Sequence, residues 1–272
     1  MAFNGHSFTF DNRSCRDFGL IIYDFGSNAQ NDSQFVTRDA FEDRRVNDYK
    51  PLYYGSSMNK PLEFNLVFGV NLDMISKNIP MDRWDLEAIA TWLTGPDGYR
   101  ELTITQGDLS LVRYKCMITQ LRQITVGWSP WAMACNVRCD SPYGYLPVQT
   151  FTYDVYPGDT GELYNRSSHI GHYLPKIKIR NLEDSTSGRT VSIKNHSDGN
   201  RELRLGIEIP SSVTTVTIDQ QRGIIQSNCS RTNLYDHYNF NTCRLVRGNN
   251  KLEFSGRFTV DFVCEFPVNV GG

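Results

Sequence analysis

Apolar and polar residues alternate strictly along two long stretches of this chain. In "KPLEFNLVFG", Leu62, Phe64, Leu66 and Phe68 fall on one face and Glu63, Asn65 and Val67 on the other. In "RFTVDFVCEF", near the other end, Phe258, Val260, Phe262, Cys264 and Phe266 do the same. A period of two sends successive side chains to opposite faces of a strand, so both stretches predict half-buried strands. Turn chemistry recurs between such runs, as Pro96-Asp97-Gly98, as Gln221-Arg222-Gly223 between "TVTID" and "IIQS", and as Gly248-Asn249-Asn250 before "KLEF". Short strands punctuated in this way predict a mainly β chain built as sandwiches or barrels.

The first such run is "FTFDNRSCRDFGLII", residues 8–22. Phe8 and Phe10 alternate, the polar cluster Asp11-Asn12-Arg13-Ser14 interrupts, and Phe18, Leu20 and Ile22 resume, which predicts a hairpin across that break. One helix stands out, in "MDRWDLEAIATWLTGPDGY". Asp82 suits the N-cap with Asp85 three residues on, and Leu86, Ile89, Ala90 and Leu93 share one face. Gly95 suits a left-handed C-cap, with Pro96 blocking continuation. Trp84 and Trp92, eight apart, are expected to anchor this helix to a sheet, and Trp128 and Trp131 to pack at a bend around Ser129-Pro130.

Residues 24–58 carry dense charge with little periodicity, which predicts either a solvated loop or ragged hairpin, or an arm that extends to a neighbouring subunit. A boundary is expected after "CDSPYGYLP", dividing the chain into residues 1–145 and 146–272.

Several function classes are disfavoured. Charge is balanced, 28 basic against 30 acidic residues, so bulk attraction to nucleic acid or anionic lipid is not expected. No apolar run approaches the roughly 20 residues of a membrane span, and "MAFNGHSFTF" lacks the basic flank and apolar core of a signal peptide. A soluble protein made in a cytoplasm is the expectation. The five sequons, at Asn12, Asn31, Asn165, Asn195 and Asn228, then carry no glycosylation argument.

The seven cysteines are scattered, so reduced thiols in the core are the expectation. Cys135 and Cys139 form C-x3-C without a second Cys/His pair at zinc spacing, and an even separation in a strand merely places both on one face. "HIGH", His169 to His172, has no acidic third ligand nearby. Neither a phosphate-cradling glycine loop, HExxH nor GxSxG is present. Tyr153, Tyr156, Tyr164, Tyr235 and Tyr238 are candidates for stacking on sugar rings, with rim or core packing as the alternative. No catalytic, cofactor or metal site is expected.

"FTFDNRSCRDFGLII", "KPLEFNLVFG", "WLTGPDGYRELTI", "CDSPYGY", "VSIKNHSDGN", "VTIDQQRGIIQSN" and "LVRGNNKLEFSG" follow one another in a single order from about Phe8 to Phe266. Together they resemble the distal tail proteins of long, flexible-tailed bacteriophages. The resemblance implies a ring-forming, tail-tube-binding β domain with one short α-helix in residues 1–145, and a galectin-like β-sandwich in residues 146–272.

It further implies a homohexameric ring, a structural virion hub rather than an enzyme. The ring would join the major tail tube protein to the tail-tip, lysin-type protein and to receptor-binding or baseplate proteins. Phage DNA would pass through the lumen unbound, and the ring would sit at the distal tail end after assembly in the host cytoplasm. A lectin-like module contacting the host surface is the second expectation, although no galectin-type set of His, Asn, Arg and Trp is present in the second half, which contains no Trp. A tail-tube subunit is the third, disfavoured because it would leave the second domain unexplained. Which residues form the subunit interface does not follow from the sequence.

Overall fold

The computed structural model describes residues 6–23, 39–43, 49–57, 60–105, 111–182, 190–206, 213–229 and 233–270. Much of the charged segment 24–58 lies outside them. The chain divides into two compact units, one running to Tyr145 and including the residues from Asn269, the other Leu146–Val268.

The first unit contains β1 (Ser7–Phe10), β2 (Arg13–Ser14), β3 (Leu20–Ile22), β4 (Asp39–Asp43), β5 (Leu52–Ser57), β6 (Glu63–Val70), α1 (Leu72–Ser76), α2 (Arg83–Thr94), β7 (Arg100–Thr105), β8 (Arg113–Val126), β9 (Ser129–Cys139) and β10 (Gly144–Tyr145). The main antiparallel sheet runs β2-β1-β7-β8-β9-β6-β3, and β10 pairs with β8 through Tyr145 and Arg113. The sheet curls toward closure: the Ile22 N–H donates to the His6 carbonyl at 3.4 Å, joining the flanks of β3 and β1. Leu62, Phe64, Leu66 and Phe68 all point into its core, as their alternation predicts.

The N-terminal hairpin differs from expectation. Arg13 and Ser14 are its returning strand, paired with Phe10 and Thr9, and not a break. Asp11 (φ 48°) and Asn12 (φ 63°) make the whole turn, because Asp and Asn tolerate the left-handed backbone that a two-residue hairpin loop requires. A 3-10 turn, Cys15–Phe18, then carries the chain to β3, which pairs with β6.

Helix α2 starts as expected: Asp82 accepts from the Asp85 N–H (2.8 Å) and Asp85 reciprocates (3.0 Å). Ile89 and Leu93 are buried. Trp92 is the anchor; its ring stacks on Phe18 (4.8 Å between centroids) and Phe8 (5.6 Å), and its indole N–H donates to the Phe10 carbonyl (3.0 Å). Trp84 is exposed, which corrects the expectation for it: eight residues at 100° each leave the two indoles about 80° apart. Gly95 is right-handed, since its N–H still donates to the Thr91 carbonyl and Pro96 stops the ladder one residue later; the left-handed glycine is Gly98 (φ 75°). A second helix, α1, was not visible in the periodicity because five residues are too few for one. Asn71 caps it, accepting from the Met74 N–H (2.9 Å).

The second unit is a two-sheet sandwich of β11 (Gln149–Val155), β12 (Thr160–Asn165), β13 (Lys176–Arg180), β14 (Val191–Asn195), β15 (Arg201–Leu205), β16 (Val216–Asp219), β17 (Ile224–Ser227), β18 (Gly248–Ser255) and β19 (Phe258–Cys264). One sheet runs β11-β19-β13-β16-β17 and the other β12-β18-β14-β15. Their inner faces supply one cluster, with Ile177, Val260 and Phe262 from the first sheet and Leu163, Ile193, Leu203 and Phe254 from the second. Phe258, Val260, Phe262, Cys264 and Phe266 are all buried, as the alternation predicts.

Candidate assembly surface

Strands β8 and β9 form the longest hairpin of the first unit. Strand β7 covers β8 only from Arg113 to Cys116, so from Met117 to Val126 β8 bonds to β9 alone among the described strands. The partner of β9 on its other side, β6, ends opposite Ala132. The hairpin end therefore runs past the neighbouring strands, and the Met81 N–H, donating to the Pro130 carbonyl at 3.0 Å, ties it to the unit. A register shift between Ile118 and Gln120 makes Thr119 an extra residue, and such a bulge bends and twists the ribbon that carries the tip.

Gly127 (φ 58°) and Trp128 (φ 70°) make the tip turn. Seven described non-glycine residues have positive φ; five are Asp or Asn, which tolerate it, and the other two are Trp128 and Phe240. For a bulky side chain this conformation costs about 1–2 kcal/mol. Trp128 recovers none of it by packing within the chain: it is 101% exposed, beside exposed Val126. This corrects the expectation that Trp128 packs at a bend. The tight two-residue turn begins before Ser129, and it turns the indole outward; Trp131 is partly buried.

A second exposed apolar element lies in the charged segment. Strands β4 and β5 form a separate two-stranded sheet, bulged at Phe41/Glu42, that pairs with no other described strand. It leaves Phe41, Leu52, Tyr53 and Tyr54 exposed, and an isolated ribbon of this kind is marginal in water unless something packs on it.

The other candidates from the sequence have structural partners. All seven cysteines are outside disulfides and all but Cys229 are buried. Burial pushes the Cys135 and Cys139 thiols up to about 12, which suits packing and opposes ligation as thiolates. No cluster of His, Cys, Asp and Glu suited to a metal ion occurs among the described residues. His172 lies 3.1 Å from Asp198, whose carboxylate is held by Arg244 (2.8 and 2.9 Å). Asn165 and Asn195, two of the sequons, are buried with their amides bonded to backbone carbonyls.

The tyrosines divide. Tyr153 packs on Phe254 and Phe262, and Tyr238 against the sandwich core, whereas Tyr156 and Tyr164 are exposed. Tyr235 stacks on exposed Phe240 (6.5 Å, 21°). Phe240 is not among the aromatics expected to be exposed, and its local signal is the Asn239-Phe240-Asn241 triplet.

Two family models match the chain, one for a phage tail protein N-terminal domain over residues 3–141 and one for a phage tail C-terminal domain over residues 143–264. The chain belongs to this family of phage tail proteins. It is a virion tail component, and its fold is that of the distal tail hub proteins. The crystal structure of the Dit protein (gp 19.1) of phage SPP1, described as a paradigm of the hub adsorption apparatus in phages infecting Gram-positive hosts, superposes with a TM-score of 0.66 at 13% identity, covering 96% of this chain and 98% of that one. The phage P2 baseplate in its activated, Ca-bound conformation contains a chain that matches at TM-score 0.47 and 8% identity, with 91% and 92% covered. No curated protein sequence matches.

Proposed function

We propose that this tail protein is the distal hub of its virion: six copies close into a ring at the tube end, with the first unit building the ring and seating on the tube. The observation that carries this is the likeness to the SPP1 hub protein over nearly the whole of both chains, so that both units are accounted for together. The exposed β4–β5 ribbon supports it. A cyclic assembly needs heterologous contacts, and a ribbon with exposed Phe41, Tyr53 and Tyr54 is suited to lie on the next copy. The net charge of −2 suits a channel through which DNA slides without adhering.

In this role the sandwich faces outward and carries tail-tip, receptor-binding or baseplate proteins, the subunits assemble in the host cytoplasm, and no catalysis is involved. Imaging of assembled tails tests it: six copies at the distal end is the expected result, and a copy number that is not a multiple of three overturns it. A second reading, the lectin-like module, is favoured by the Tyr235–Phe240 pair, an exposed aromatic platform held out by strained backbone. Binding of host cell-wall glycans that is lost in Phe240→Ala distinguishes it.

A further inference from the structure

The hub reading leaves open how neighbouring copies grip each other, and Trp128 supplies a specific answer. A bulky residue held in a left-handed turn and fully exposed gains nothing within its own chain. Backbone strain of this kind persists where it serves a site, and exposed tryptophans are the residue type most enriched among interface anchors. The tip is convex, so its counterpart has to be concave, apolar and about the size of one aromatic side chain.

The first unit carries such a cavity. It has a volume of about 290 Å³ and is lined by Leu20, Ile21, Ile22, Gly19, Arg16 and Asn71, with His6 at its side. Drug-sized ligands occupy pockets from about 300 to 1,000 Å³, so this one is at the bottom of that range and suits a single ring. Leu20, Ile21 and Ile22 belong to β3, the end strand of the sheet; Leu20 is buried in the core, so the accessible apolar surface comes from half-buried Ile21 and Ile22. Arg16 is exposed and its guanidinium makes no ion pair among the described residues. A guanidinium within about 6 Å of an indole centroid is attracted to the ring face, and tryptophan is the aromatic it favours most.

We propose that Trp128 of one copy seats in the Arg16–Ile22 cavity of the next copy, forming the heterologous knob-and-pocket contact that propagates around the ring. Knob and pocket are distinct features of one unit, so each copy can offer its knob to one neighbour and its pocket to another, a head-to-tail contact that closes or extends according to the rotation between copies. This deepens the hub reading and rests on it.

The test uses the full-length chain with the photoreactive amino acid p-benzoylphenylalanine at position 128, alongside Trp128→Ala and Ile21→Glu. The expected result is a crosslink from position 128 to a peptide spanning residues 16–22 of another copy. Each substitution should raise the concentration needed for self-association at least about tenfold, as expected for an interface anchor, with unchanged melting temperature. The double variant should be no worse than the weaker single one, because both remove one contact. If Trp128→Ala assembles as the wild type does, or position 128 crosslinks to tube protein or elsewhere on the neighbour, the proposal is wrong while the ring reading stands. If the wild-type chain self-associates neither alone nor on tube, both are wrong.

Discussion

Asn195 donates its side-chain amide to the Oδ1 of Asn250 across 2.9 Å, and both side chains are wholly buried. Asn250 in turn accepts from the Val246 N–H (2.8 Å) and donates to the carbonyls of Val246 (2.8 Å), Gly248 (3.1 Å) and Leu163 (3.3 Å). The pair fastens the segment before β18 to the sandwich; Asn195 also donates to the Arg244 carbonyl (2.6 Å) and accepts from the Ser197 N–H (3.0 Å), so the buried amides are satisfied within one network. Asn250→Ala should therefore lower stability by about 1–3 kcal/mol, read as the urea midpoint of the second unit's transition, because it strands buried donors and acceptors. An unchanged midpoint would show that water satisfies them.

The sandwich should lose stability in acid. The Arg180 guanidinium, bonded to Asp261 at 2.8 Å through two nitrogens, holds that carboxyl below its usual value. At Asp198 burial pushes upward, but Arg244, helped by His172 and Arg201, outweighs it and the net shift is also downward. With folded values below unfolded ones, the unfolded chain binds protons first as pH drops. The stabilisation is present above the unfolded value of about 4 and is lost as pH falls through the folded values. Asp261→Asn and Asp198→Asn should each flatten the fall of the unfolding midpoint below about pH 4. A profile identical to wild type would remove these pairs from the acid response.

Trp128→Gly should stabilise the first unit of the full-length chain, or leave it unchanged, by relieving up to about 1–2 kcal/mol of left-handed strain while abolishing the tip's binding. Trp92→Ala should do the reverse, costing about 3–5 kcal/mol through loss of packing. Thermal melts of the two variants side by side test this contrast. A Trp128→Gly protein less stable than wild type would mean that the indole packs at home.

Native-state alkylation should be slow at all cysteines but Cys229. Cys135 and Cys139 are buried with thiols pushed up to about 12, and Cys243 likewise, so thiolate is scarce at neutral pH. Mass spectrometry after brief iodoacetamide treatment should find the label on Cys229 first. Early labelling of Cys139 would contradict the packing role.

How much of this was legible in the sequence follows from the range of the forces involved. The alternation from Leu62 to Phe68 and from Phe258 to Phe266, and the cap at Asp82, depend on near neighbours in the chain. Each is visible as a short pattern. The pairing of β3 with β6 instead of β1, and the exposure of Trp128, are settled by contacts between distant segments. A tryptophan two residues before a proline looks the same whether it packs or projects. The ordered set of fragments carried the family, since order along the whole chain survives where single fragments are ambiguous. The tip and its cavity are far apart in sequence, at 128 and at 16–22, and no local pattern links them.

The chain leaves the first unit at Tyr145 and re-enters it at Asn269. The sandwich's own entry and exit are side by side, since the Leu146 N–H donates to the Phe266 carbonyl at 2.9 Å. On return, Val270 is buried, and a Cβ on Gly144 would lie only 2.8 Å from it and 2.4 Å from Val112. The sandwich is thus an insert within the first unit's chain and not an appendage to it. In genetic terms it has the layout of a cassette: its two junctions, at Tyr145 and Asn269, are the points where a module with adjacent termini would join the chain, with Val270 left to close the host unit. An exchange there would change the second unit and leave the strands of the first unit's sheet as they are.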